Sequence, residues 1–122
     1  MEADSKLGRV IVAPEVLLTI IQNTVLGVDG VVRLHATWPE NIGKLLGIHS
    51  AKEGLAIQVE DDTLTVDVHI IASPRAQMLR LGRMVQSEVR RAIEELVGLD
   101  VRAVNVHIED VELEESEPTP AA

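Results

Sequence analysis

The stretch GLAIQVEDDTLTVDVHIIA, residues 54–72, decides the fold, because apolar and polar residues alternate on both sides of its acidic centre. Before that centre the alternating apolar positions are Leu55, Ile57 and Val59, and after it they are Leu64, Val66, Val68 and Ile70. Successive side chains of a strand point to opposite faces, so each half is typical of a strand with one buried face. The stretch therefore predicts a β-hairpin with an acidic turn and a register fixed by the apolar face.

A helical pattern lies on each side of this hairpin. Residues 16–26 repeat apolar side chains at helical spacing, and Gly27 ends the pattern. Residues 74–97 carry the longer pattern, which has one apolar and one charged face and ends at Gly98. Proline suits the first turn of a helix, so we expect Pro14 and Pro74 to open the two helices.

Two further segments are predicted to be strands: GRVIVA (residues 8–13) and VRAVNVHIED (residues 101–110). In the second, alternation puts Val104, Val106 and Ile108 on one face and Asn105, His107 and Glu109 on the other. The predicted element order is β-α-β-β-α-β. An antiparallel sheet with two amphipathic helices against it makes a two-layer α+β fold.

The length of 122 residues fits one domain. We expect a flexible N-terminus of residues 1–7, a single domain of residues 8–111 and an acidic, disordered tail of residues 112–122. The tail combines glutamates with prolines, a composition typical of a solvated segment.

Composition excludes several classes of function. A net charge of -9 repels phosphate backbones and argues against a nucleic-acid partner, and one Trp with no Phe or Tyr gives no surface for stacking bases. The lack of cysteine excludes disulfides, zinc ribbons and thiol catalysis, and suits a reducing compartment. The N-terminus MEADSKLG lacks the basic region of a signal peptide, and no segment approaches the roughly 20 apolar residues of a membrane span. Any membrane contact is therefore expected through a partner or a surface patch.

The polar faces of two predicted strands supply candidate metal ligands. Asp67 and His69 lie two apart on one strand, and His107 and Glu109 lie two apart on another. If these strands are neighbours, two imidazoles and two carboxylates share one sheet face and could bind a zinc-like ion. Alternation alone also puts every outward residue on one face, so a solvated or partner-covered face is the simpler interpretation. No metal or other cofactor is predicted.

The four-residue segment GVDG, residues 27–30, matches the glycine loop by which KH modules clamp a nucleic-acid backbone. Asp29 lies between the glycines and would repel phosphate. A helix end followed by a turn is the favoured interpretation.

Three features are candidate partner-binding surfaces. The second helix carries an arginine stripe of Arg80, Arg83, Arg90 and Arg91, which is either an ordinary solvated face or a docking surface. Trp38 lies in an irregular connection, where an indole can anchor another protein or fold onto the core. Asn105 and His107 on the last strand complete the set.

No nucleophile elbow, phosphate-binding loop, dinucleotide motif or HExxH helix is present, so no catalytic residue is predicted.

Four segments, read together, resemble the alkaline shock protein family, the envelope stress response proteins of bacteria, over about residues 8–111. The segments are GRVIVAPEVL, GVDGVV, IGKLLGIHSAKEGLAIQVEDDTLTVDVHII and MVQSEVRRAIEELVGLDVRAVNVHIEDV. The last is the most specific, and Asn105 and His107 fall within it in family-like order. The chain departs from many relatives at residues 72–84, ASPRAQMLRLGRM, where they have a Tyr-Gly pair and an Ile-Pro helix start.

This resemblance implies a small cytoplasmic protein without enzymatic activity that is linked to cell-envelope stress. Some family members are held beneath the membrane by a membrane-anchored partner and assemble into clusters, and others are encoded beside a kinase of fatty-acid metabolism. The expected function is that of an interaction or scaffold protein that forms homo-oligomers and docks on such a partner. The alternatives are a small KH-like nucleic-acid-binding module and a metal-binding protein that uses the polar sheet face.

Overall fold

A computed structural model describes residues 2–36 and 50–113. The chain runs through strands β1 (Glu2–Ser5) and β2 (Gly8–Ile11), helix α1 (Pro14–Leu26), and strands β3 (Val31–Leu34), β4 (Ser50–Lys52), β5 (Leu55–Glu60) and β6 (Thr63–Ala72). Helix α2 (Met78–Ala92) follows, continues into a π-helical turn (Ile93–Val97) and leads to strand β7 (Asp100–Val111).

Strand β6 organises the main sheet. Its first part pairs antiparallel with β5, and its last residues pair antiparallel with β3, so these two strands share one edge of β6. The other edge of β6 pairs with β7. Strand β4 continues the sheet beyond β5, while β1 and β2 form a separate hairpin.

Both helices pack against one face of this sheet and enclose an aliphatic core. The core consists of apolar side chains from α1, α2 and alternate positions of the strands, among them Leu17, Ile21, Val66, Val68, Val85 and Ile93, all fully buried. The same alternation leaves polar side chains on the opposite face of β6 and β7. The predicted two-layer α+β fold, with two amphipathic helices, is confirmed.

The sheet was predicted to be antiparallel, and this was wrong for its last strand, because β7 runs parallel to β6. The other strand pairs in the described residues are antiparallel. Helix α2 lies between the two strands in sequence and carries the chain back to the start of β6, and parallel neighbours require such a crossover. Strands β1, β3 and β4 are also additional to the predicted order.

The start of the second helix was predicted wrongly. Pro74 lies in a turn, where the Ser73 carbonyl oxygen accepts a hydrogen bond from the Ala76 N–H at 3.0 Å. Helix α2 begins only at Met78, because the Gln77 side chain accepts a hydrogen bond from the Arg80 N–H at 2.6 Å and caps the first turn.

The predicted boundaries of the domain stay predictions. Residues 2–5, predicted to be flexible, form β1, and Glu112, predicted to belong to the tail, forms an ion pair with Arg33 at 2.8 Å. Trp38 and residues 114–122 lie outside the described residues, so their predicted roles are not addressed by the structure.

Candidate functional site

The parallel pairing of β6 and β7 brings the polar residues of the two strands into direct opposition. His69 is paired with His107, and Asp67 with Asn105. Glu109 follows two residues after His107 on the same face. We call Asp67, His69, Asn105, His107 and Glu109 the polar cluster. The two strands are therefore the neighbours that the metal hypothesis required.

The two imidazoles of the polar cluster stack on each other. Their ring centroids are 4.2 Å apart, and their planes differ by 6°. His69 Nδ1 lies 2.7 Å from Glu109 Oε1, and His107 Nε2 lies 3.7 Å from Asp67 Oδ1. Asn105 donates from Nδ2 to Asp67 Oδ1 at 3.1 Å. Each histidine thus has a carboxylate at one end of its ring.

The electrostatics of the cluster favour a charged Glu109. Its pKa is lowered, mainly by the hydrogen bond to His69; desolvation opposes this shift, and the charges of His69, His35 and His107 add smaller contributions that lower the pKa further. An ionised carboxylate only accepts hydrogen bonds, so His69 donates from Nδ1.

The backbone of His69 is fixed at the point where β3 and β5 meet along β6. The His35 N–H donates to the His69 carbonyl oxygen at 2.9 Å, and the His69 N–H donates to the Gly54 carbonyl oxygen at 2.8 Å. Gly54 has a φ of +83°, and a Cβ there would lie 2.6 Å from the His35 carbonyl oxygen. Sequence reasoning missed His35 and Gly54, because both lie at the ends of a long irregular connection with no periodic signal.

Three residues of the cluster could hold a metal ion together. One ligand atom from each of His69, His107 and Glu109 lies within 4.8 Å of the other two, and no other group of this kind occurs in residues 2–36 and 50–113. His107 and Glu109 are exposed, and His69 is partly buried. Asp67, also predicted as a ligand, lies beside this group and contacts His107 instead.

The predicted arginine stripe divides into separate environments. Arg83 and Arg90 line a pocket of about 410 Å³ between α2 and β7, together with Asn105. Arg80 lines a different groove, of about 610 Å³, between the end of α1 and the start of α2. Arg91 lies 3.7 Å from Glu88. The arginines therefore do not form one continuous basic surface.

Side chains of α2 cover the first half of β7's outer edge. Gln86 donates from Nε2 to the Val104 carbonyl oxygen at 3.0 Å, and Arg90 donates to the Val101 carbonyl oxygen at 2.9 Å. Among the described strands, β7 pairs only with β6. The edge from Asn105 onwards has no such cover from α2 in the described part of the chain.

The GVDG segment forms a helix end and a turn, as favoured. The Gly27 N–H donates a hydrogen bond to the Asn23 carbonyl oxygen at 3.1 Å, and the Gly30 carbonyl oxygen accepts one from the Ser73 N–H at 2.8 Å. The segment connects a helix to a strand.

A separate apolar surface lies on the β1–β2 hairpin. All residues of β2 are exposed, including Val10 at 66% and Ile11 at 62%, and Leu7 at the hairpin turn is fully exposed. An isolated two-stranded hairpin is marginally stable in water, so this surface suits cover by another protein. In the described ranges, no helix is both long and apolar enough to cross a membrane.

The chain is similar to several known proteins. Over 111 residues the chain is 24% identical to the uncharacterized protein YqhY of Bacillus subtilis, covering 91% of this chain and 82% of that protein. It is 24% identical over 109 residues to a stress response regulator gls24 homolog of Streptococcus pyogenes, covering 88% of this chain and 61% of that protein. Among solved structures, a MamM CTD variant has a TM-score of 0.49 at 16% identity, covering 80% of this chain and 95% of that one.

A family model matches residues 2–113, which include every element described above. That family is described as having a cell envelope-related function. The chain therefore belongs to the alkaline shock protein 23 family.

Proposed function

We propose that this chain is a non-catalytic scaffold of the cell envelope that self-associates through the outer edge of β7 and docks on a membrane-anchored partner. The observation that carries the proposal is the second half of β7, whose outer edge pairs with no other strand among the described residues. An unpaired strand edge is a row of free N–H and C=O groups, to which another chain can add a strand.

Hydrogen bonds at the two edges of the β6–β7 pair identify which backbone groups of β7 point away from β6. His69 uses its N–H and C=O groups toward Gly54 and His35, so its neighbours Val68 and Ile70 bond toward β7. The Val104 carbonyl oxygen accepts from Gln86 and thus points away from β6. Because backbone direction alternates along a strand, the Val106 and Ile108 amides share that outward direction.

The covered and open halves of β7 differ in what they offer a second copy. Gln86 and Arg90 occupy outward carbonyl oxygens at Val104 and Val101, which limits pairing there. Residues 105–111 extend beyond this cover within β7, with a register shift between Ile108 and Asp110. A second β7 added at this half would extend the sheet across two copies and continue its polar face.

Docking on a partner is assigned to the β1–β2 hairpin. Leu7, Val10 and Ile11 expose apolar area on a hairpin that belongs to a different sheet from β7, so docking there would not use the β7 edge. The envelope-related description of the family supports a partner that is itself anchored in the membrane. In support of non-catalytic action, the sequence has no nucleophile elbow, phosphate-binding loop, dinucleotide motif or HExxH helix.

The test of self-association is light scattering over a concentration series on the full chain and two variants. Val106→Pro removes one outward-pointing backbone N–H group and also changes the side chain. Val106→Ala is the control, because it shortens the side chain but keeps the N–H group. We expect the mass of the wild type and of Val106→Ala to rise with concentration, while Val106→Pro stays monomeric with an unchanged circular dichroism spectrum. A wild type that is monomeric throughout, or a Val106→Pro variant that associates like the wild type, contradicts the proposal.

Partner docking requires a separate measurement. Leu7→Ser combined with Val10→Ser removes apolar area from the hairpin, and Leu79→Ser removes another exposed leucine, from α2, as the control. We expect the hairpin variant, but not the Leu79→Ser variant, to be lost from the bacterial membrane fraction while its light-scattering mass is unchanged. Equal recovery of both variants from membranes contradicts the assignment.

A further inference from the structure

We infer that the polar cluster binds one divalent transition-metal cation of the zinc class, with His69, His107 and Glu109 as its protein ligands. The three donor types are those that zinc uses in proteins. Their convergence is a property of the fold, because His69 and His107 are directly paired across β6 and β7 and Glu109 follows on the same face.

The distances require only side-chain movement. One ligand atom from each residue lies within 4.8 Å of the others, whereas a tetrahedral zinc site with bonds of about 2.0–2.2 Å holds its ligand atoms roughly 3–3.6 Å apart. His107 has 46% of its side chain exposed, and Glu109 has 37%. Rotation of these two side chains can therefore close the gap without moving either strand.

The backbone beneath the ligands is held in place. His69 accepts a hydrogen bond from the His35 N–H and donates one to the Gly54 carbonyl oxygen, both along the same edge of β6. A ligand on a rigid element lowers the entropy cost of assembling the site. His69 thus provides a fixed point, and the more exposed ligands adjust to the ion.

Asp67 supports the site without being a ligand. Its Oδ1 accepts from Asn105 Nδ2 at 3.1 Å and lies 3.7 Å from His107 Nε2. Carboxylates beside metal-binding histidines orient the ring and raise its basicity. Together with Glu109, Asp67 also makes the local charge negative when both carboxylates are ionised, which favours a cation.

Three protein ligands leave a fourth position for water or another donor, as in open zinc sites. The site faces outward on the sheet and is not enclosed. This inference concerns the sheet face and stands apart from the proposed pairing of β7 edges.

The test is calorimetric titration of the full chain, first treated with a chelator, with zinc chloride. We expect one zinc ion per chain and a higher Tm of the wild type with zinc. His107→Ala and Glu109→Gln should each weaken zinc binding at least about tenfold, given the losses usual at metal sites. Glu112→Gln is the control. It also removes a carboxylate near this end of the chain, but the Glu112 carboxylate pairs with Arg33 and is not part of the polar cluster.

Ring nitrogen signals in NMR spectra give a second readout that does not depend on stability. Of the four histidines, two should shift on zinc addition, and one of these two should disappear in His107→Ala. Absence of zinc binding by the wild type overturns the inference. Binding that both His107→Ala and Glu109→Gln retain at wild-type affinity overturns it as well.

Discussion

His69 and His107 lie face to face across β6 and β7, with ring centroids 4.2 Å apart. Helix α2 separates their strands in sequence, so the pair exists only when the crossover has placed β7 beside β6. The register that pairs His69 with His107 also places the remaining residues of the polar cluster beside them.

Acid should weaken the native state partly through Glu109. Its pKa is below the ordinary value of 4.5 because His69 donates a hydrogen bond to the carboxylate. A lowered folded-state pKa stabilises the native state above the unfolded pKa, and that contribution is lost as pH falls through the folded value. The Tm difference between wild type and Glu109→Ala should therefore shrink from pH 6 to below about pH 4. A difference that stays constant over this range contradicts the assigned hydrogen bond.

Gly54→Ala should destabilise the protein. The new Cβ would lie 2.6 Å from the His35 carbonyl oxygen, and the φ of +83° is unfavourable for alanine. A loss of about 1–3 kcal/mol is expected from urea unfolding. Gly82→Ala is the matched control: it lies in α2 with nothing within 4 Å of its Cβ, so it should stabilise by about 0.5–1 kcal/mol. Equal effects at both glycines contradict the close approach at Gly54.

Gln86→Ala should expose more of the β7 edge. It frees the Val104 carbonyl oxygen, which the Gln86 amide otherwise occupies at 3.0 Å. A loss of about 0.5–1.5 kcal/mol in monomer stability is expected, together with stronger self-association in light scattering. Ser87→Ala, one position along α2, is the control and should change neither quantity. Weaker association of Gln86→Ala would mean that this side chain itself contacts the second copy.

Ile21→Ala should be the most disruptive of these changes, because Ile21 is fully buried between α1 and the sheet. Replacing a buried isoleucine by alanine usually costs about 2–5 kcal/mol. Leu79→Ala, at a side chain that is 79% exposed, should cost little by the same unfolding measurement. A small effect at Ile21 would contradict the helix-on-sheet core.

Sequence periodicity predicted the two helices, the hairpin and the faces of β6 and β7. The acidic turn, the end of α1 at Gly27 and the apolar positions of the core all follow from local patterns. Alternation separates Asn105, His107 and Glu109 from Val104, Val106 and Ile108 whichever strand lies alongside, so the faces could be predicted before any partner strand was known.

Pairing could not be predicted in the same way. Alternation carries no information on strand direction, so the sheet was predicted to be antiparallel and the parallel β6–β7 pair was missed. The opposition of His69 and His107 was conditional on the two strands being neighbours. The start of α2 was missed because Pro74 also fits a turn and the Gln77 cap is a weaker signal. His35 and β3 were missed because four residues show too little periodicity to separate a short strand from a loop.

Amide hydrogen exchange along β7 as a function of protein concentration tests self-association at this edge most directly. If two copies pair through this edge, the outward amides of Val106 and Ile108 should exchange quickly in dilute protein and become protected as the light-scattering mass rises. The amides of Asn105 and His107 should be protected throughout. Association that leaves Val106 and Ile108 unprotected, or no association at any concentration, would contradict the account.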